Sequence, residues 1–191
     1  MDEIKRCPWS LSAPIYLDYH DLEWGVPVRE DQKHFEFLVL ESAQAGLSWL
    51  TILKRREGYR RLYADFDPEQ VASFDEERIA GMLQDTGIIR NRKKIESSIN
   101  NAQRFLEIQS QYGSFCNYIW GFVEGNQVVN HFQQLSELPV SSPLSDALAK
   151  DMKQRGFRFL GSTILYAHLQ ATGLVNDHLV SCFRHEECRE T

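Results

Sequence analysis

Apolar positions recur at helical spacing along most of the chain. Residues 31–45 place Phe35, Leu38 and Val39 on one face behind an acidic start, the pattern of an amphipathic helix. Gly46 interrupts, and a second helix is predicted from Ser48 to about Tyr63. Asp67-Pro68 reads as an N-cap with proline at the first helical position, and Asp75 opens a shorter helix that stops at Gly87. From Asn91 to Gln111 the positions Ile95, Ile99, Ala102 and Leu106 form one apolar stripe. Ser114 starts a short aromatic helix through Phe122, and residues 123–140, the least helical stretch, leave room for a small extended segment.

In the last third, Ser142-Pro143 begins a helix predicted through Arg155, with Leu144, Ala147, Leu148 and Met152 facing inward. Gly156-Phe157-Arg158-Phe159-Leu160-Gly161 is too short for anything but a tight hairpin. A further helix runs from Ser162 to Thr172 and ends at Gly173, and Asn176-Asp177 is expected to cap a final helical turn carrying His178 and Cys182. With no repeat, low-complexity tract or linker, the expectation is one all-α domain over residues 1–191.

Composition narrows the class. At 191 residues, 42% hydrophobic and 25% charged, the chain can bury a proper core and is neither disordered nor fibrous. No apolar run approaches the ~18 residues of a membrane span, so no membrane partner is expected. The opening Met-Asp-Glu-Ile-Lys-Arg has no apolar signal region, which makes the cytoplasm the expected compartment. A net charge of −6 excludes a uniformly basic nucleic-acid binder but leaves a local basic face open.

The hairpin between residues 143 and 172 offers one kind of chemistry. A sharp turn leaves backbone N–H groups unpaired, and the N-terminus of the next helix adds free donors and partial positive charge. Together they suit one phosphate, a way for an acidic protein to grip DNA through backbone dipoles. Lys150, Lys153, Arg155 and Arg158 crowd the same hairpin. The same pattern also describes an ordinary pair of helices joined by a short loop.

The cysteines and histidines offer another. Cys7 and His20 lie near the start, and His178 and Cys182, spaced i and i+4, share one helical face near the end. Two sulfurs and two imidazoles match tetrahedral zinc, and four protein ligands leave no place for an activated water, so such a metal would be structural. Ordinary packing of each residue is the alternative, and Cys182, His185 and Cys188 form a rival set on what reads as a frayed tail.

Four segments carry a resemblance: Tyr19-His20-Asp21-Leu22-Glu23-Trp24-Gly25, Leu40-Glu41-Ser42-Ala43-Gln44-Ala45-Gly46-Leu47-Ser48-Trp49, Gly87-Ile88-Ile89-Arg90-Asn91-Arg92-Lys93-Lys94-Ile95 and Gly173-Leu174-Val175-Asn176-Asp177-His178. From Cys7 to Cys182 the chain closely resembles the 3-methyladenine DNA glycosylase I family of helix–hairpin–helix base-excision enzymes. The resemblance implies two helical lobes and a zinc clamp of Cys7, His20, His178 and Cys182 joining the chain ends. It implies Glu41 as the acidic residue of a base pocket lined by Tyr16, Tyr19 and Trp49, with Trp9 as a neighbour. Gly46 and Leu47 would form a wedge, and Leu160 and Gly161 would meet DNA at the hairpin. One departure is clear: Phe159-Leu160-Gly161 has Phe where the wider hairpin family has Gly.

The implied partners are double-stranded alkylated DNA and free 3-methyladenine as product, handled by a monomer. A buried base must leave the stack before its glycosidic bond can be cut. An N3-methylated adenine carries positive charge that cleavage neutralises, so it is already a good leaving group. Aromatic faces and one carboxylate would select it, and Glu41 within an apolar run fits that use. No lysine stands at an evident nucleophile position, so no lyase step is expected. Asp177 lies near the place where related hairpin enzymes put a catalytic Asp, although capping beside His178 is an adequate job for it. A DNA-binding module without cleavage and a zinc hydrolase are the alternatives.

Overall fold

The computed structural model describes residues 4–189. A 3-10 turn at Pro8–Ser12 leads into α1 (Pro14–Leu22), α2 (Asp31–Gln44), α3 (Trp49–Leu53), α4 (Arg56–Leu62), α5 (Pro68–Ala72), α6 (Glu76–Met82), α7 (Arg92–Tyr112) and α8 (Phe115–Gly121). After β1 (Val128–Val129) come α9 (Pro143–Gln154), α10 (Ser162–Ala171), β2 (Val175–Asn176) and α11 (Arg184–Glu187). The two short strands pair in parallel, Val128 with Val175 and Val129 with Asn176. No helix among the described residues is long and apolar enough to cross a membrane.

Capping residues act as their sequence positions imply. Asp67, Asp75, Asn91, Ser114 and Ser142 each accept a backbone N–H from the first turn they precede. Asp31 does the same at a distance: its carboxylate takes the N–H groups of Phe115 and Cys116, both at 2.8 Å, and so caps α8 from the start of α2.

Four expectations need correcting. The helix predicted over 48–63 breaks at Lys54-Arg55 into α3 and α4. The break accompanies an inward turn of Arg56, whose guanidinium meets Glu23 at 2.7 and 2.8 Å and Glu36 at 2.8 Å. No helical turn carries His178 and Cys182, because Val175–Asn176 pairs with β1 and the chain then folds through turns. The Asn176 side chain accepts the His178 N–H, and Cys182 N–H bonds back to the Leu179 carbonyl at 2.7 Å, so local turn bonds bring the two ligating side chains round. On α9, Ala147 is exposed and Ser145 buried, since the Ser145 hydroxyl is held by Ser142 and Ser162. Finally, the tail is packed rather than frayed: His185 and Cys188 are buried, and His185 Nε2 meets the Asn130 carbonyl at 2.9 Å.

Two apolar clusters organise the molecule. The larger one gathers residues of α2 through α10, including Phe35, Leu40, Ile52, Tyr59, Phe105, Phe115 and Leu169. The smaller joins Cys7, Tyr19, Trp24, Phe37, Leu53, Leu179 and Cys182, and so packs the first and last segments together. α2 belongs to both, and every residue from His34 to Ala43 is buried, as expected of a helix surrounded on all sides. Trp49 also touches both clusters, which places it on the seam. Gly173, at φ 68°, ends α10 so close to the chain that a Cβ would stand 2.4 Å from Pro27 N.

Candidate functional site

The seam opens into a cavity of about 470 Å³ lined by Trp9, Tyr16, Tyr19, Trp24, Glu41, Gln44, Trp49, Ala167 and Gln170, among others. α1 supplies the tyrosines, α2 supplies Glu41 and Gln44, and α10 supplies Ala167 and Gln170. The aromatic rings brace one another: Trp9 meets Tyr16 edge-on at 5.7 Å and Trp24 at 5.2 Å, and Tyr19 lies 5.7 Å from Trp49. The Trp49 indole N–H is buried without a hydrogen-bond partner among the described residues. A larger groove of about 960 Å³, between the N-terminal segment and residues 133–136, has no buried ionisable group in its lining.

Glu41 is only 3% exposed. Burial pushes its carboxyl well above the ordinary carboxylate range. Its Oε2 lies 2.8 Å from His168 Nδ1, and burial holds the His168 imidazole down to about 3. Behind it His34, also lowered to about 3 by burial and then by His168, meets His168 at 3.2 Å. Burial, followed by the nearby Glu41, raises the Tyr19 hydroxyl in turn. A buried carboxyl beside aromatic faces can recognise a planar, donor-bearing or cationic ligand.

At the mouth, α2 ends and the chain turns at Gly46, whose φ of 78° suits glycine and whose surroundings are open. Leu47 follows, 40% exposed. The turn is anchored by Lys94 Nζ, which donates to the carbonyls of Ala43 and Ala45, both at 2.7 Å.

The α9–α10 connection also has a fixed shape. Gly156 and Phe159 both adopt left-handed backbone, at φ 91° and 56°. For Phe159 that conformation costs about 1 kcal/mol more than it would for a glycine. Leu160 is buried, while Gly161 is exposed. Gly161 is the N-cap of α10, and Lys150, Lys153 and Arg158 are exposed nearby, whereas Arg155 is engaged with Asp151 and Tyr112.

On the other side of the aromatic wall, Cys7, His20, His178 and Cys182 are all buried, and their ligand atoms lie within 4.8 Å of one another. The sulfur-to-nitrogen separations of 3.4–3.7 Å match the edges of a tetrahedron around zinc, roughly 3.4–3.8 Å for bonds of ordinary length. The outer nitrogens are oriented as metal-bound histidines require: His20 Nδ1 meets Asp21 Oδ1 at 2.7 Å, and His178 Nε2 donates to the Trp24 carbonyl at 2.9 Å. Hydrogen bonding between the two sulfurs lowers the Cys182 thiol and raises that of Cys7. These four residues can hold a metal ion, and His185 and Cys188 stand outside the set.

The structure thus gathers Tyr16, Tyr19, Glu41 and Trp49 around one cavity and Cys7, His20, His178 and Cys182 around one point. It sets Gly46, Leu47 and Gly161 on the surface. Sequence reasoning missed His34, His168, Gln44, Gln170 and Lys94. For the two histidines a signal existed, since each stands in an apolar helix where a polar ring needs a partner. Asp177 is fully buried and accepts from Tyr166, Gln170 and Asn130, which accounts for it as a structural acceptor that orients Gln170.

Known proteins share this arrangement of helices. The DNA-3-methyladenine glycosylase 1 of Escherichia coli is 48% identical over 179 residues, 94% of this chain and 96% of that protein. A crystal structure of 3-methyladenine DNA glycosylase I superposes with a TM-score of 0.91 at 47% identity, covering 97% of this chain and 100% of that one. The 3-methyladenine DNA glycosylase I of Staphylococcus aureus, solved for the structural basis of its 3-methyladenine recognition, gives a TM-score of 0.90 at 39% identity over 93% of this chain and 95% of that one. The methyladenine glycosylase family model matches residues 9–185. By that match and by the relative at 48% identity, this chain belongs to the methyladenine glycosylase family.

Proposed function

We propose that this protein is a monofunctional base-excision glycosylase that acts as a monomer. It draws 3-methyladenine out of alkylated double-stranded DNA, hydrolyses its N-glycosidic bond and releases the free base. The observation that carries the reading is the dry carboxyl of Glu41 in an aromatic-walled cavity large enough for a purine. The relatives' activity and the 3-methyladenine recognition described for the Staphylococcus aureus relative support the same ligand.

The chemistry follows from the lesion's charge. Extruding a nucleotide costs a few kcal/mol, less for a damaged base. Leu47, exposed on the turn held by Gly46 and Lys94, is placed to fill the gap it leaves. Stacking a cationic purine on Trp49 and the tyrosines gains about 0.5–2 kcal/mol, and Glu41 accepts from its amine edge. Neutral adenine loses the charge-dependent part of both. Because the cation already leaves well, the protein selects and stabilises rather than protonating strongly. No lysine lines the cavity, which favours hydrolysis by water over a Schiff-base step.

The α9–α10 pair serves as a helix–hairpin–helix, with the backbone around Leu160 and Gly161 and the N-terminus of α10 receiving a DNA phosphate. Cys7, His20, His178 and Cys182 hold one structural zinc, which ties the first and last segments behind the pocket wall. With four protein ligands it has no coordination position left for water.

The test is chromatography of the supernatant after incubation with methylated duplex DNA. Free 3-methyladenine is expected, with the strand left unbroken at the abasic site. Binding of the duplex without release of any base would overturn the reading in favour of a DNA-binding module.

A further inference from the structure

Glu41 is the outer member of a buried row of hydrogen-bonding groups that crosses from α2 to α10 and back. Glu41 Oε2 meets His168 Nδ1 at 2.8 Å, His168 Nε2 meets His34 Nδ1 at 3.2 Å, and His34 Nε2 meets the Val28 carbonyl at 3.2 Å. Both imidazoles are fully shielded from solvent.

Three contacts need three protons, and two neutral imidazoles bring one each. The Val28 carbonyl can only accept, so His34 carries its proton on Nε2 and accepts at Nδ1. His168 then donates from Nε2 and accepts at Nδ1. The third proton lies between His168 Nδ1 and Glu41 Oε2. An ionised Glu41 with two neutral imidazoles would leave two lone pairs facing each other at a buried position, an uncompensated cost. The row is therefore neutral as a unit and holds one proton that its end groups can exchange.

We infer that His168 and His34 are positioning residues that store the proton of Glu41: it sits on Oε2 in the empty pocket and passes to the imidazoles when a cationic base enters. The O–H bond at Oε2 breaks as an N–H bond forms at His168 Nδ1. The Nε2 proton of His168 can then move on to His34 Nδ1, and no proton enters or leaves. Glu41 thus becomes a carboxylate only beside a cation. In either state the proton lies on the His168 side, so Oε1 remains an acceptor for the cavity that Glu41 lines.

The surroundings agree. Burial raises Glu41 and lowers both imidazoles, which places the resting proton on the carboxyl. Asp31 and Arg29 act on His34 with opposite signs, and Tyr19 faces Glu41. The Asp31 carboxylate is committed to Phe115, Cys116 and Gln109, so it does not supply the third proton.

This inference rests on the base-pocket reading and is tested so that the two fail separately. The full chain, labelled with ¹⁵N histidine, is observed free, with neutral 3-methyladenine and with the fixed cation 3,9-dimethyladeninium, in which a methyl stands in for the sugar. The free protein is expected to show His34 and His168 as neutral Nε2–H rings, unchanged by 3-methyladenine. The cation is expected to convert one ring to imidazolium near neutral pH. Glu41→Gln, whose amide donates to His168 as the acid does, keeps both rings neutral with either ligand. His168→Gln is expected to weaken the cation about tenfold, one charge-assisted hydrogen bond, and the neutral base far less.

A His168 ring protonated on Nδ1 in the free protein overturns the stored proton, whatever binds. A bound cation without imidazolium, or equal weakening of both ligands by His168→Gln, overturns the transfer. If neither ligand binds, the functional reading falls and takes the transfer with it.

Discussion

Asn101 holds Arg158 by both atoms of its side-chain amide: Oδ1 accepts the Arg158 N–H at 2.8 Å, and Nδ2 donates to the Arg158 carbonyl at 2.9 Å. Its neighbour Asn100 reaches the Gly156 carbonyl at 2.9 Å. Helix α7 therefore sets the shape of the connection between α9 and α10, including the strained turn at Phe159. Asn101→Ala is expected to weaken duplex binding on the order of tenfold, as one or two lost hydrogen bonds would. Single-turnover excision at saturating DNA should change little. Titration by fluorescence anisotropy, run beside single-turnover kinetics, measures both; an equal fall in rate with unchanged affinity would contradict the role given to the turn.

The second prediction concerns the cluster that joins the chain ends. One zinc per chain is expected by elemental analysis. Cys182→Ala should lose the metal and several kcal/mol of stability, because binding energy at such a site is folding energy. A chelator should lower the melting temperature of the wild type toward that of the variant. A metal-free wild type that melts at the same temperature as Cys182→Ala would contradict the clamp.

The third concerns pH. Glu41 is raised above its ordinary 4.5 in the folded chain, so its contribution favours folding at low pH and is lost as pH rises from about 4.5 toward the folded value. Glu41→Gln removes that dependence. The stability of the variant relative to wild type should therefore grow by about 1.4 kcal/mol for each pH unit across that window. His34 and His168, lowered to about 3, act in the opposite sense and lose stability as pH falls from 6.5, but they do so in both proteins, and the difference isolates Glu41. Parallel melting curves against pH would contradict a neutral Glu41.

Much of this was legible in the residues. Caps such as Asp67, Asn91 and Ser142 mark helix starts because their side chains satisfy free N–H groups locally, and the structure uses them so. The Cys7, His20, His178 and Cys182 set was visible by residue type. Its geometry was not, because the last pair is brought round by turns that depend on pairing with a strand 47 residues away in sequence, Val128 with Val175 and Val129 with Asn176. The break at Lys54-Arg55 was hidden for a similar reason: local helical propensity is continuous there, and the partners of Arg56 lie on α2 and beyond α1. His34 and His168 stand 134 residues apart, so the row behind Glu41 exists only in the folded chain.

The most direct test is the single-turnover rate of 3-methyladenine release from alkylated duplex DNA, wild type against Glu41→Gln, with DNA affinity measured on the same samples. The expected result is a fall on the order of 10²-fold in rate, the scale of losing one preorganised polar contact, with affinity nearly unchanged. Equal rates from two well-folded proteins, or no 3-methyladenine released by the wild type, would contradict the pocket as the site of excision.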